Sequence, residues 1–114
     1  MKARIALLLM CFLLAACNAG GASALTMQTF KDAFEADGIE VNLEEKPMFE
    51  MIGAEDGVIF YNELNPVKIY QFADKKALES VKDTLPAAKN WEQKGLFLLE
   101  TNDQQAKDIF NSVE

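Results

Sequence analysis

A chain of 114 residues has room for one folded domain of ordinary size, so a separate catalytic domain is excluded. Its formal net charge of −7 argues against binding to nucleic acid, because phosphate contacts depend on an excess of Lys and Arg. The chain has no His, so the usual general base at neutral pH and the commonest transition-metal ligand are both missing.

The first residues have the order of a secretory signal peptide. Lys2 and Arg4 precede an uninterrupted apolar run from Ile5 to Leu14, and two alanines follow. A run of ten apolar residues is short for a transmembrane helix, which needs about 20 residues to cross the hydrocarbon core of a bilayer. We therefore predict that residues 1–16 are a signal peptide, and a membrane-spanning helix is the less favoured interpretation.

The tetrapeptide Leu14-Ala15-Ala16-Cys17 resembles a bacterial lipobox, the motif at which lipoprotein precursors are acylated and cleaved. The resemblance implies that a diacylglyceryl group is attached to the Cys17 thiol and that cleavage makes Cys17 the first residue. The acyl chains would anchor the domain without a membrane-spanning helix, because each CH₂ buried in the bilayer contributes about 0.8 kcal/mol to membrane binding. The alternative is an ordinary signal peptide that is cut elsewhere, for instance after Ala22 or Ala24, and discards Cys17.

Removal of residues 1–16 would leave nine Lys against 18 Asp and Glu, a net charge of −9. A domain so acidic needs an anchor other than its own charge at an anionic lipid surface. It would contain no disulfide, since Cys11 leaves with the signal peptide and Cys17 is acylated. Residues 17–24 predict a flexible tether with a reach of about 15 Å. The domain, which we assign to residues 25–114, would then lie close to the membrane.

The domain is predicted to begin with an amphipathic helix that Thr26 caps and Gly38 ends. Ile39, Val41 and Leu43 then alternate with polar residues, which is the period-two pattern of a strand with one solvated face. The helix is therefore predicted to turn at Gly38 directly into a first strand.

Three further strands are predicted in the middle of the chain. A weaker alternation marks Phe49–Ile52, and Gly53–Gly57 has the composition of a turn. The runs Val58–Tyr61 and Val67–Phe72 are β-branched and aromatic, and they flank the loop Asn62–Pro66. These two runs are predicted to pair as an antiparallel hairpin.

The remaining elements complete the predicted order α-β-β-β-β-α-β-α. Asp74 is expected to cap a helix that ends at Pro86, and Leu96–Leu99 is apolar on both faces, as in a central strand. Asn102 is the predicted cap of the last helix, with Gln105 at capping-box spacing. This order predicts an α+β domain whose largely antiparallel sheet has four to five strands, with helices on one face.

Hydrophobic patterns in four segments are similar to those of a group of small, mostly uncharacterised lipoproteins of Gram-positive bacteria. The segments are Gly38–Val41, Ile52–Ala54, Val67–Phe72 and Phe97–Asn102. The resemblance covers most of the part that follows Cys17. It implies a fold and a location at the membrane, with no activity attached, and it leaves open whether the host is Gram-positive or Gram-negative.

The residues offer little chemistry. The acid pairs Glu44-Glu45 and Glu55-Asp56 fit solvated turns better than a calcium site, which needs six to eight converging oxygens. The serines have no His to activate them, and a pairing of Ser80 with Lys76 or Lys82 would lie on a charged helix face. We therefore predict no enzymatic activity, no cofactor and no metal site.

The aromatic residues are the one indication of a binding surface. Most are expected in the core, with Phe60 and Phe72 on one side of the sheet and Tyr61 on the other. If the second sheet face is uncovered, Tyr61, Tyr70 and Trp91 would form an exposed patch of the kind that marks partner or ligand sites.

The sequence thus predicts a non-enzymatic envelope protein, anchored by lipid on the extracytoplasmic face of the cell membrane. It would bind an unidentified protein or small molecule there. The alternatives are a structural or stress-linked envelope domain without a ligand, and a weak hydrolase.

Overall fold

The computed structural model describes residues 25–113, in which three α helices and two 3₁₀ helices accompany a four-stranded antiparallel sheet. The α+β class and the antiparallel sheet predicted from the sequence are confirmed. The predicted signal peptide, the tether and Cys17 lie outside the described residues. The α helices are α1 (Met27–Ala36), α2 (Lys75–Thr84) and α3 (Gln104–Ser112), the 3₁₀ helices are Phe49–Ile52 and Pro86–Asn90, and the strands are β1 (Asp56–Asn62), β2 (Asn65–Gln71), β3 (Glu92–Lys94) and β4 (Phe97–Thr101).

The sheet has the strand order β1-β2-β4-β3, so β2 and β4 are central. Val58 pairs with Ile69, and Ile69 pairs with Leu99, which aligns one apolar row across three strands. Because successive side chains of a strand point to opposite faces, the residues between them form a second row on the other face. The predicted central strand at Leu96–Leu99 is confirmed as β4.

Apolar side chains cover both faces of the sheet. On the first face, α1 and α3 pack against the strands, and the rings of Phe30 and Phe110 stack with centroids 4.8 Å apart. On the second face, Leu78 and Val81 of α2 pack with the buried ring of Phe72. Helices therefore lie on both faces, and the prediction of helices on one face was wrong.

The second layer exists because β2 is apolar on both faces. Phe60 pairs with Val67, and the odd spacing from Val67 to Phe72 puts Phe60 and Phe72 on opposite faces of the sheet. The prediction that these two rings share a side was therefore wrong. Tyr70 and Phe72 need an apolar cover on the second face, which the stripe of α2 provides.

The alternating segment Ile39–Leu43 is not a strand, so the predicted first strand was wrong. Ile39 and Val41 are buried in the first core, as the alternation predicted. The Val41 N–H, however, donates to the carboxylate of Glu35 (3.3 Å) rather than to a strand neighbour. The alternation here reflects the burial of side chains in the core and not the hydrogen bonding of a β strand.

Four smaller predictions also differ from the structure. Phe49–Ile52 is a 3₁₀ helix, which ends at Gly53 in the left-handed region (φ 80°). The loop of the hairpin is shorter than predicted, because Asn62 pairs with Asn65. The short edge strand β3 was not predicted, and the cap of α3 is Asp103 rather than Asn102. The caps Thr26 and Asp74 and the stop at Gly38 are confirmed.

Within residues 25–113, no helix combines the length and the apolar character that crossing a membrane requires.

Candidate functional site

The structure brings together two of the three aromatic residues singled out from the sequence. The rings of Tyr70 and Trp91 stack, with centroids 5.7 Å apart and an interplanar angle of 17°. Tyr70 is 4% exposed and Trp91 is partly buried, so Tyr70 belongs to the core and Trp91 borders it. Tyr61 is 56% exposed and lies on the edge strand β1, opposite Pro66. The three residues therefore do not form one continuous exposed patch.

A cleft of about 370 Å³ opens beside Trp91. Its floor is the part of the second sheet face that carries Pro66, Lys68 and Glu100. Asn90 and Trp91 line it at the end of the second 3₁₀ helix. The cleft arises because α2 covers the second sheet face near Phe72 and Leu98 but leaves the other ends of β2 and β4 open.

Three side chains in and below this cleft form a connected polar group. The hydroxyl of Tyr70 donates a hydrogen bond to Glu100 Oε1 (2.8 Å), and Lys68 Nζ lies 3.9 Å from the same oxygen. Lys68 and Glu100 are direct cross-strand partners in the register of β2 and β4. Opposite charges at such positions attract each other, and because both side chains are partly exposed the attraction is weak.

The phenol of Tyr70 stays a donor over a wide pH range. Burial of the ring raises the pKa of Tyr70 above its ordinary value of 10.0, and the hydrogen bond to the Glu100 carboxylate raises it further. The bond occupies Oε1 of Glu100 and ties the floor of the cleft to the buried ring of Tyr70.

The cleft contains one carboxylate among its lining residues. Glu100 is the only carboxylate that lines the described cleft, and glycoside hydrolysis of the usual kind needs two. Among residues 25–113, no group of three or more Cys, Asp or Glu side chains is placed to hold a metal ion. Of the acid pairs considered from the sequence, Asp56 accepts hydrogen bonds from Lys46 (2.7 Å) and from the N–H of Gly57 (2.8 Å).

The arrangement is suited to binding instead. Trp91 keeps a partly exposed aromatic surface, although one face of its ring is covered by Tyr70. The amides of Asn65, Asn90 and Asn102 add hydrogen-bond donors and acceptors around the opening. Ligand sites combine an aromatic surface with polar groups, and in this cleft most of the lining residues are polar.

Sequence reasoning missed most of this cleft. Lys68 and Glu100 lie on strands that only the sheet topology makes neighbours. The available signal was a charged residue within each of two otherwise apolar runs, Lys68 after Val67 and Glu100 after Leu99. Such a residue is also what a solvated sheet face would carry, so the signal did not identify a site.

A second concavity, of about 500 Å³, was also missed. It is an apolar groove between the 3₁₀ helix Phe49–Ile52 and α2, lined by Met51, Ala77, Val81 and Leu85 among others. It contains no carboxylate, amine or amide side chain, and its polar side chains are the hydroxyls of Ser80 and Thr84.

Comparison of the chain with protein-family models, with curated proteins and with solved structures found no match.

Proposed function

We propose that this chain is a lipid-anchored protein of the extracytoplasmic membrane face and that it binds a ligand in the cleft beside Trp91. The anchor would be the acylated Cys17 of the lipobox-like tetrapeptide, eight residues before the first described residue, Leu25. The cleft is the single observation that carries the binding proposal, because it combines an aromatic surface, amides and a cross-strand ion pair in one concavity.

The composition of the cleft favours a polar ligand that has a flat apolar face. Sugars belong to this class, since their ring C–H groups pack on an indole while their hydroxyls bond to amides and carboxylates. Lys68 and Glu100 offset each other, so the net charge of the residues that line the cleft is the single positive charge of Lys107, and a highly charged ligand would gain little from it. We therefore propose an oligosaccharide as the ligand.

Two alternatives receive less support. A structural domain without a ligand would be expected to bury its aromatic residues on both faces, whereas Tyr61 is exposed and Trp91 lines an open cleft. A weak hydrolase would need a carboxylate that is free to activate water, whereas Glu100 accepts from Tyr70 and lies beside Lys68.

Trp91 is the only tryptophan of the chain, so its fluorescence reports directly on the cleft. We would titrate the membrane-extracted protein with soluble N-acetylglucosamine oligomers and follow the tryptophan emission. The tryptophan emission is expected to change until the protein is saturated with ligand. The apparent affinity should weaken severalfold in Asn90→Ala but not in Lys89→Ala, because Lys89 does not line the cleft. A flat titration, or equal weakening in both variants, would contradict the proposal.

The anchor has its own test. The intact mass of the membrane-extracted protein should equal that of residues 17–114 plus acyl chains, and Cys17→Ala should release the protein from the membrane. An unmodified mass that begins after Ala22 or Ala24, or retention of residues 1–16, would contradict the anchor and leave the ligand titration unaffected.

A further inference from the structure

The first described residue of the domain lies at one of the two ends of the sheet. Leu25 lies beside the turn between β3 and β4. An added Cβ on Gly95 in that turn would be 3.3 Å from the side chain of Leu25. The N–H of Phe72 donates to the carbonyl of Leu96 at the same end (2.9 Å). We call this the Gly95 end. Leu25, the first described residue, therefore lies at this end of the sheet.

The 3₁₀ helix Phe49–Ile52 also lies at the Gly95 end. It leads through Gly53 to Glu55, whose N–H donates to the carbonyl of Gln71 at the end of β2 (2.8 Å). Phe49 lies beside Gly57, the second residue of β1, where an added Cβ would be 3.0 Å from the Cβ of Phe49. The 3₁₀ helix is thus held where β1 begins and β2 ends.

Two methionines at this helix are exposed to solvent. Met48 and Met51 are each 75% exposed, they line one shallow concavity, and the exposed Glu50 lies between them in the sequence. We call these two methionines the methionine patch. Large apolar side chains exposed together on a soluble domain mark contact surfaces, and Met is flexible enough to adapt to a fluid partner.

We propose that the methionine patch contacts the lipid bilayer to which the domain is anchored. The proposal rests on the anchor proposed above. A tether of residues 18–24 reaches about 15 Å, so it would hold the Gly95 end, and with it the patch, near the membrane surface. Insertion of a few apolar side chains at the interface would add to the binding that the acyl chains supply.

The charge of the domain fits an apolar rather than an electrostatic contact. The part after residue 16 carries nine Lys against 18 acidic residues, so anionic headgroups would repel it as a whole. Lys46, the cation nearest to Met48 in the sequence, is bonded to Asp56 (2.7 Å). A contact made by Met side chains does not depend on a positive surface.

The proposed orientation leaves the ligand cleft accessible. Pro66 at the start of β2 and Glu100 near the end of β4 lie at the sheet end opposite to Gly95. The tip of the β1–β2 hairpin, which carries Leu64, is at that far end as well. With the methionine patch on the bilayer, the cleft would face away from it.

Depth-dependent quenching tests this orientation in the full chain. Met51→Trp and Leu64→Trp, each combined with Trp91→Phe, would be expressed in a bacterium, extracted and placed in phosphatidylcholine vesicles with brominated acyl chains. Leu64 is 92% exposed at the opposite end of the sheet and serves as the matched control. Bromine should quench the Met51→Trp emission severalfold more than the Leu64→Trp emission.

Two accompanying measurements establish whether the domain is folded and whether it is acylated. If circular dichroism shows that Trp91→Phe unfolds the domain, the comparison is made with Trp91 retained, as the difference between the two variants. The intact mass of the same sample reports the anchor. An acylated protein with equal or absent quenching at both positions overturns the lipid contact alone, and concentration-dependent Met51→Trp emission would then assign the patch to a second copy. An unacylated mass overturns the anchor and the lipid contact together.

Discussion

The hydroxyl of Tyr70 donates a hydrogen bond to the carboxylate of Glu100 across 2.8 Å, from the central strand β2 to the central strand β4. Tyr70 is 4% exposed, whereas Glu100 lines the open cleft. The bond therefore connects the second core of the domain to the floor of the candidate binding site, and a change in the core at Tyr70 should reach the cleft.

Tyr70→Phe should lower the free energy of unfolding by about 1 kcal/mol at neutral pH, because a hydrogen bond to the carboxylate is lost. The substitution should also change how the free energy of unfolding depends on pH in the alkaline range. The folded state raises the pKa of Tyr70 above 10.0, so its contribution to stability is complete below pH 10 and is lost as the pH rises beyond that value. Urea unfolding at several alkaline pH values measures this loss, which Tyr70→Phe should abolish.

Tyr61→Phe is the matched control, since Tyr61 lies on the neighbouring strand and is largely exposed. Tyr61→Phe should lose stability above pH 10 in the same way as the unmodified protein. If Tyr70→Phe and the unmodified protein lost stability in parallel above pH 10, the bond to Glu100 would not have the proposed effect.

A second prediction concerns acid pH. The carboxylate of Glu35 accepts from Lys31 Nζ (2.9 Å) and from the N–H of Val41 (3.3 Å), which ties α1 to the segment that follows it. The bond from Lys31 is the main cause that lowers the pKa of Glu35 below 4.5, and the bond from Val41 adds to it. A lowered folded-state pKa contributes stability that is present above about pH 4.5 and disappears as the pH falls further.

Glu35→Gln should therefore be less stable than the unmodified protein at neutral pH and should approach it as the pH falls below 4.5. Denaturant midpoints over the acid range measure the difference. Glu40→Gln, an exposed position in the same segment, is the control and should keep the slope of the unmodified protein. A constant gap between Glu35→Gln and the unmodified protein at all pH values would argue against the ionic contribution.

The sequence predicted the features that depend on neighbouring residues. Thr26 and Asp74 were recognised as caps because the accepting oxygen and the donating N–H groups lie within three residues of each other. Gly38 was recognised as a stop because a left-handed residue (φ 85°) favours glycine. Each of these needs no knowledge of the rest of the fold.

Features that depend on strand pairing were not predicted. The alternation of Ile39 and Val41 looks the same whether the segment joins a sheet or only packs on a core. The opposite placement of Phe60 and Phe72 follows from the register of β1 with β2, and the approach of Lys68 to Glu100 follows from the register of β2 with β4. The cleft is a product of that register and of the incomplete cover by α2, so residue patterns alone could not predict it.

A third prediction concerns the turn of the hairpin. Glu63 has a positive φ (63°), and Leu64 does not, which is the pattern of a type II′ turn with a side chain where glycine is preferred. Glu63→Gly should therefore stabilise the domain by about 0.5 to 1 kcal/mol, since relief of strain exceeds the added entropy of the unfolded chain. Thermal unfolding measures the gain.

Leu64→Gly in the same turn adds the same entropy to the unfolded chain without relieving a positive φ, so it should destabilise. Stabilisation by Leu64→Gly, or destabilisation by Glu63→Gly, would show that strain at residue 63 does not decide the effect.

The last prediction compares two helix caps that differ in their other contacts. Asp103 caps α3 by accepting from the N–H of Ala106 (2.9 Å), and it also accepts from the side chains of Asn62 (2.8 Å) and Asn65 (3.1 Å). These two asparagines face each other at the end of the β1–β2 hairpin. Asp103 therefore fixes the hairpin to the last helix, beside the cleft that Asn65 lines.

Asp74 makes the equivalent cap of α2, accepting from the N–H of Ala77 (2.9 Å), and it lacks such partners on the hairpin within residues 25–113. Asp74→Ala should thus cost about 1 kcal/mol, the usual value of a cap, whereas Asp103→Ala should cost about 2 to 3 kcal/mol, because two further hydrogen bonds are lost. Urea unfolding of both variants measures the difference. Equal losses would mean that the asparagines bind water as favourably as Asp103. The hairpin would then be held beside the cleft by the bond of Asn62 to Gln105 (3.0 Å) and by the pairing of β2 with β4.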